Sequence, residues 1–264
     1  ARLERINADG FMTVIDIDLT TAVDRSLALR RGDHLAVDAI TDYKKDIVTL
    51  SGAVRHAGDF SWREGMRISD VISDRDQLNP DTDLDVALLV RELSNSADIE
   101  VLIVSLDSIL SDDAAEDNLT LASRDQLVVL SDYQDRADVL APYMENLKRQ
   151  ASIDALPAIV RSGGTVRFPG EYPLVKGMSV KDLINLSGGL IESAYSQSAE
   201  ISRLDLSNPN RAVTSILISD LTRSASSVLA PADYVEFRTI PDYRETESIT
   251  LEGEFVFPGT YVFE

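Results

Sequence analysis

Apolar and polar positions along this chain fall into a repeated pattern. Three segments share it: 52–60 (GAVRHAGDF), 164–172 (GTVRFPGEY) and 253–261 (GEFVFPGTY). Gly52, Gly164 and Gly253 open them. A short apolar strand, a Pro-Gly or Ala-Gly pair and an aromatic that starts a second strand follow. Flanking β-branched and aromatic residues predict a hairpin. Proline at the first central position presets φ and glycine at the second supplies φ > 0. Pro169-Gly170 and Pro258-Gly259 therefore predict type II turns, and Ala57-Gly58 a less rigid version.

The first two copies stay in register beyond the hairpin. Gly65-Met66 and Gly177-Met178 lie at one spacing, and Ile68 to Ile72 and Val180 to Ile184 then read as short amphipathic helices. Ser179 and Asp182 predict a capping box, which Arg67 removes from the first copy. Gly188-Gly189 predicts a helix stop, with Asn79-Pro80 turning the chain in the first copy. A second matching set closes each unit: 33–43, 125–133 and 233–243, each an acidic turn leading into a strand and ending in Asp-Tyr. Upstream of these lie strands at 12–17, 100–104 and 213–217, followed by Asp18-Leu19, Leu106-Asp107 and Asp220-Leu221.

In order, these pieces give hairpin, helix, strand, strand, acidic turn and final strand. That is a small mixed sheet wrapped on one helix, an α+β unit of the β-grasp kind. The expected division is 1–46, the closing half of a preceding unit; 47–133, a complete unit; 134–160, a linking helix and connector; 161–243, a second complete unit; and 244–264, the opening hairpin of a following unit. On this reading the chain is a piece of a longer array. In the linker, Leu140, Tyr143, Met144, Leu147 and Ala151 share one helical face, and Pro142 is expected in the first turn of the helix. The closing half and the opening hairpin are complementary parts of one fold. They are expected to pair between neighbouring molecules or to add to an adjacent sheet.

Composition narrows the function. The 264 residues carry 25 basic and 45 acidic side chains, a net charge of -20. Nucleic acid and anionic lipid both need a basic surplus that this chain lacks. There is no cysteine, so thiolate metal sites and cysteine nucleophiles are excluded. His34 and His56 have no metal-ligand spacing, and no metal or other cofactor is expected. No apolar run approaches the length that crosses a bilayer. The charged start ARLER does not read as a signal peptide, so targeting and anchoring are expected from parts outside this sequence. No P-loop, dinucleotide fingerprint or nucleophile elbow appears, and no catalytic residue is assigned.

The run GTVRFPGEYPLVKGM at 164–178, continued by SVKDLINLSGGL, resembles the SLBB domain, a soluble ligand-binding β-grasp of bacterial polysaccharide biosynthesis and export proteins. GAVRHAGDFSWREGMRISDVI and GEFVFPGTYVFE resemble it more loosely, and 140–150 is similar to the inter-domain segment of multi-SLBB members. The resemblance implies a non-enzymatic periplasmic protein, associated with the outer membrane of a Gram-negative bacterium. It would serve a capsule or exopolysaccharide export machine. Its implied partners are copies of itself or neighbouring SLBB domains, polysaccharide and an inner-membrane export protein. Two parts of the family, the N-terminal export domain and a lipid-anchored cysteine, are not in this sequence.

Sugars are gripped by aromatic faces beside polar forks, and arginine pairs bidentately with sugar carboxylates. Arg55 and Trp62 in the first hairpin, and Arg167, Tyr172 and Lys176 in the second, are the candidate ligand contacts. Their competing role is structural, with the aromatics covering the helix. Three functions remain open at this point: a scaffold of an export machine, a glycan- or small-ligand-binding module, and a glycan-cleaving enzyme built on paired carboxylates.

Overall fold

The computed structural model describes residues 1–37, 44–93, 98–112, 114–152, 155–204, 213–219, 228–243 and 247–263. The end of the first closing segment (38–43) and the Asp220-Leu221 step fall outside the described residues. The chain divides into two compact units, Ala1–Lys44 and Lys45–Glu264.

The first unit holds β1 (Arg2–Ile6), β2 (Met12–Asp16), a single helical turn α1 (Ala22–Arg25) and β3 (His34–Ala36). They form an antiparallel sheet in the order β2-β1-β3.

The second unit begins with β4 (Ile47–Gly52), β5 (Gly58–Ser61), α2 (Ile68–Val71), β6 (Thr82–Glu92), β7 (Ile99–Val104), α3 (Leu106–Ser111) and β8 (Gln126–Ser131). The helix α4 (Arg136–Gln150) follows. Next come β9 (Ile159–Gly164), β10 (Gly170–Pro173), α5 (Val180–Leu186), β11 (Ala194–Leu204), β12 (Val213–Ser219) and β13 (Tyr234–Thr239). A last hairpin, β14 (Glu247–Leu251) and β15 (Gly259–Phe263), ends the described chain. The two five-stranded sheets run β5-β4-β8-β6-β7 and β10-β9-β13-β11-β12. In each, the last strand lies parallel to the first: Leu50 faces Leu127, and Ser162 faces Val235. The fold is therefore α+β, with tandem β-grasp domains. One face of each sheet closes on its helix, burying Ile68 and Val71 of α2, and Val180, Leu183 and Leu186 of α5. Each such side chain contributes about 1.5–3 kcal/mol.

The turns differ from expectation. Gly170 does not have positive φ, so Pro169-Gly170 is not a type II turn; it leads into β10. The left-handed residues are Gly52 (φ 92°), Gly164 (φ 78°) and Gly253 (φ 105°), five residues before each Pro-Gly or Ala-Gly pair. A bond from two residues on closes each of these bends, Val54 N–H to Gly52 O, Val166 N–H to Gly164 O and Phe255 N–H to Gly253 O. The loop then crosses to the helix end, where Arg167 N–H donates to Gly189 O and Phe168 N–H to Ser187 O. At Gly52 and Gly164 the closing strand passes so near that a Cβ would stand 1.9 Å from Val129 O and 2.0 Å from Phe237 O. Glycine is required there by space as well as by φ.

The helix ends agree in part. Ser179 and Asp182 form the capping box, the Ser179 amide lying 2.8 Å from the Asp182 carboxylate. In the first copy half of the box survives, because Asp70 still accepts from the Arg67 amide at 2.8 Å. Asn118 supplies a further cap from outside, its carbonyl accepting from Ser69 N–H. Gly188 and Gly189 both adopt positive φ and end α5. The α2 helix stops sooner than expected, ahead of a 3-10 turn at Arg75–Gln77, and Asn79-Pro80 turns only afterwards, with Thr82 N–H donating to Asn79 O. Pro142 sits inside α4, not in its first turn; Asp135 caps the helix seven residues earlier. Pro142 and Asp138 are both exposed, so water can serve the carbonyl that the proline leaves unbonded.

A buried ion pair, unforeseen from sequence, recurs three times. Arg5 pairs with Asp33, Arg91 with Asp125 and Arg203 with Asp233, each closing at 2.6 Å. In every copy the same arginine also donates to a carbonyl just upstream, of Ala28, Thr120 or Val228. The aspartate accepts from the amide three residues before it, of Arg30, Ala122 or Ala230. The residue just ahead of it is left-handed: Gly32, Arg124 or Ala232. The Arg5 side chain and the Arg30 amide hold the Asp33 carboxyl down at about 2. That stabilisation is present above the ordinary carboxylate range and is lost as pH falls through about 2.

Two outcomes test these points by chemical denaturation. Gly164→Ala should cost about 3 kcal/mol, whereas Gly177→Ala, at nearly the same φ (76°) but with open space around it, should cost about 1 kcal/mol. Arg203→Met, which strands a fully buried Asp233, should cost about 3 kcal/mol. Arg63→Met, at an exposed pair with Asp70, should cost under about 1 kcal/mol.

Candidate functional site

The first β-grasp sheet is buried on both faces. β6 and β8 read as near-continuous apolar runs, so alternate residues face α2 while Leu88, Val90, Val128 and Leu130 face the other way. The second set meets α4 through Leu140, Met144 and Leu147, in a core that continues into Ile159, Val160 and Tyr172 of the second β-grasp domain. Tyr143 packs at its edge and donates to Gln126. The linking helix thus docks the two domains together.

One polar anchor holds this joint. Arg136, at the start of α4, is 1% exposed. It donates to the carbonyls of Asn185 and Leu186 at the C-terminal end of α5, and pairs with the Asp83 carboxylate of β6. Its guanidinium also stacks 5.1 Å from the centre of the Phe168 ring. A cation at a helix C-terminus is favourable, and here the same charge satisfies a carboxylate on the other domain.

A cleft runs along the joint as three adjoining hollows of about 330, 470 and 450 Å³. One end is acidic, with Asp83, Asp85, Asp107 and Asp132. The other is apolar, with Leu93, Val101, Leu147, Leu174 and Leu229. Lys176 lines the middle and the apolar end. Among the described residues no three His, Asp or Glu side chains stand together as metal ligands.

The second β-grasp sheet differs on its corresponding face. β13 alternates strictly, turning Val235 and Phe237 inward and leaving Tyr234, Glu236 and Arg238 on the outer side. There the Arg161 guanidinium lies 5.8 Å from the centre of the Tyr234 ring. The Tyr234 hydroxyl donates to Glu236, which raises its pKa; burial adds to the shift. Ser215 and Arg238 both donate to Glu200 and hold its carboxyl below the usual range. Arg161, Ser202, Leu204, Val213, Ala232 and Tyr234 line a depression of about 350 Å³.

The five candidates from sequence are scattered over this frame. Trp62 packs against the first core and donates its indole N–H to Leu121 O. Tyr172 is 2% exposed, donates to Phe168 O, and burial pushes its hydroxyl up to about 12. Arg55 is exposed and donates to Leu78 O. Arg167 is exposed and lies 3.7 Å from Asp132, at the acidic end of the cleft. Of the five, Lys176 is the one among the described residues that lines the cleft's hollows. The structure does not bring the five together. Arg161 and Tyr234, absent from those candidates, form an arginine–aromatic pair of the kind that grips a sugar. The alternation of YVEFRT at 234–239 was the available signal.

Replacing the joint's anchor has a defined expectation. Arg136→Met leaves Asp83 buried without its partner and should cost about 3–5 kcal/mol in denaturation. Asp83→Asn added to that variant should recover part of the loss.

The comparisons with known proteins fit this geometry. None of the curated proteins compared with the chain matches it. The family model of the SLBB domain matches residues 162–216, which run from the end of β9 through β10, α5 and β11 into β12. The stretch likened most strongly to that family by sequence, 161–195, lies almost wholly inside the match. The chain therefore carries an SLBB domain in its second complete β-grasp.

Proposed function

We propose that this chain is the scaffold and interaction region of a polysaccharide export protein. It is non-enzymatic and works in the periplasm of a Gram-negative bacterium, next to the outer membrane. Its partners are further SLBB-type domains, an inner-membrane export protein and the polymer itself. The observation that carries this reading is the joint: α4 and the buried Arg136 fix two β-grasp domains as one body, as a spacer in an assembly needs. The acidic surface fits a passage for acidic polymers, which it repels except where basic residues line a path. Deleting residues 47–243 from the natural protein should abolish surface polysaccharide while polymer synthesis continues inside the cell. Normal surface polysaccharide in that strain would overturn the proposal.

The second reading is a soluble glycan- or small-ligand-binding module, and the depression at Arg161 and Tyr234 favours it. A ring face beside a guanidinium suits a sugar that bears a carboxylate. Titrating the chain with acidic oligosaccharides under NMR observation should then shift the amides of Arg161, Ser202 and Tyr234, and Tyr234→Ala should remove the effect. An unchanged spectrum at millimolar sugar rejects this second reading and leaves the first standing.

A further inference from the structure

We propose that Tyr234 is the positioning residue that sets the charge selectivity of the depression on the second β-grasp domain. By holding Glu236 over Gly163, it leaves the Arg161 guanidinium free for a carboxylate on an acidic sugar. The inference rests on the ligand-binding reading of that depression and names what makes it select for charge.

The side chains concerned share one face. Arg161 stands opposite Tyr234, and Gly163 opposite Glu236, in the parallel ladder of β9 and β13. Alternate residues of a strand point the same way, so Arg161 and Glu236 are diagonal neighbours of opposite charge. Long side chains reach one another across such a diagonal, yet this pair does not form. Among the described residues the exposed Arg161 side chain has no acid partner, and its guanidinium lies beside the Tyr234 ring, 5.8 Å from the centre. Arg203 and Arg238 of the same sheet each close on a carboxylate at 2.6 Å.

Gly163 makes the room for this arrangement. A Cβ there would stand 2.7 Å from a carboxylate oxygen of Glu236 and nearer still to the Tyr234 hydroxyl. The hydroxyl donates to Glu236, so their bond lies on bare backbone where any other residue would intrude. Glu236 needs it, because it faces Glu200 across the antiparallel ladder with β11 and like charges so placed repel. Glu200 is served by Ser215 and Arg238. Among the described residues, that leaves the tyrosine as the donor to Glu236. With Glu236 engaged, the N–H donors of Arg161 stay open and the ring beside them orients the fork.

The shared β-grasp frame does not require this set. In the first domain Thr49, Ser51, Gln126 and Val128 occupy the places of Arg161, Gly163, Tyr234 and Glu236. There Gln126 accepts from Tyr143 of α4, and the face serves docking.

The test uses the whole chain, titrated calorimetrically with oligogalacturonate and with its carboxyl-reduced form. The unaltered chain should prefer the charged form. Tyr234→Phe keeps the ring and removes the hydroxyl, so Glu236 turns to Arg161. Affinity for the charged form should then fall about tenfold, the worth of one charge-assisted bond, and most of the preference with it. Adding Glu236→Gln to Tyr234→Phe should bring affinity back to within about twofold of the unaltered chain. Equal affinities for the unaltered chain and Tyr234→Phe would overturn the inference and leave the ligand reading standing. A double variant as weak as the single one would do the same, since the hydroxyl would then be touching the sugar itself. Absence of binding by the unaltered chain would instead overturn the ligand reading, and the inference with it.

Discussion

A carboxylate almost without access to water stands at the start of every closing strand in this protein. Asp125 and Asp233 are fully buried, and Asp33 is nearly so. An ion in that position is tolerated only if every lone pair is served. The arginine from the neighbouring strand serves it, together with the amide at the head of the turn, and the same arginine ties down the carbonyl upstream. The left-handed residue just before the aspartate lets the chain turn tightly enough to bring these groups together. The closing strand cannot slip relative to its antiparallel neighbour without breaking them all. The opening strand is then located by the near approach of the closing strand's carbonyl to Gly52 or Gly164. Sheet order, register and the glycine positions thus follow from one charge that has to be satisfied.

The two complete domains use that frame differently. In the first, apolar residues on both faces of β6 and β8 require cover on both sides, and α4 supplies the second cover. In the second, the matching positions are Arg161, Ser202, Glu200, Tyr234, Glu236 and Arg238, a polar surface with its own internal pairs. One repeat has become a docking platform, while the other keeps a face open to water. The assembly reading draws on the first domain and the ligand reading on the second.

Much of this was legible in the residues. The threefold hairpin segment, the acidic turns and the short helices gave the β-grasp order, because glycine spacing and hydrophobic alternation act locally. The Asp at each closing turn was visible, but its arginine lies 28 to 34 residues upstream and only the fold brings the two together. The glycines were read as turn formers because proline beside glycine is a strong local signal. The left-handed bends lie instead at Gly52 and Gly164, fixed by a backbone contact across the sheet, 73 to 77 residues away in sequence, which no local rule encodes. Trp62 and Tyr172 suggest sugar platforms by residue type, but aromatics are costly to expose: Tyr172 fills the core of its domain and Trp62 packs against that of the first. The strict alternation of β13 against the unbroken apolar run of β8 did distinguish the two outer faces, and would have pointed to Tyr234.

The parallel pairing of first and last strands also decides how such a chain bears tension. In the first domain the chain enters along β4 and leaves along β8, side by side and in the same direction, and β9 and β13 repeat the arrangement. A pull on the two ends of either domain drags these strands past one another along their length. Their ladder bonds then share the force and must fail together, instead of opening one at a time as in a zipper. Each domain therefore resists being pulled open from its ends more strongly than its equilibrium stability alone would suggest, because the rate of forced unfolding is set by that shared failure.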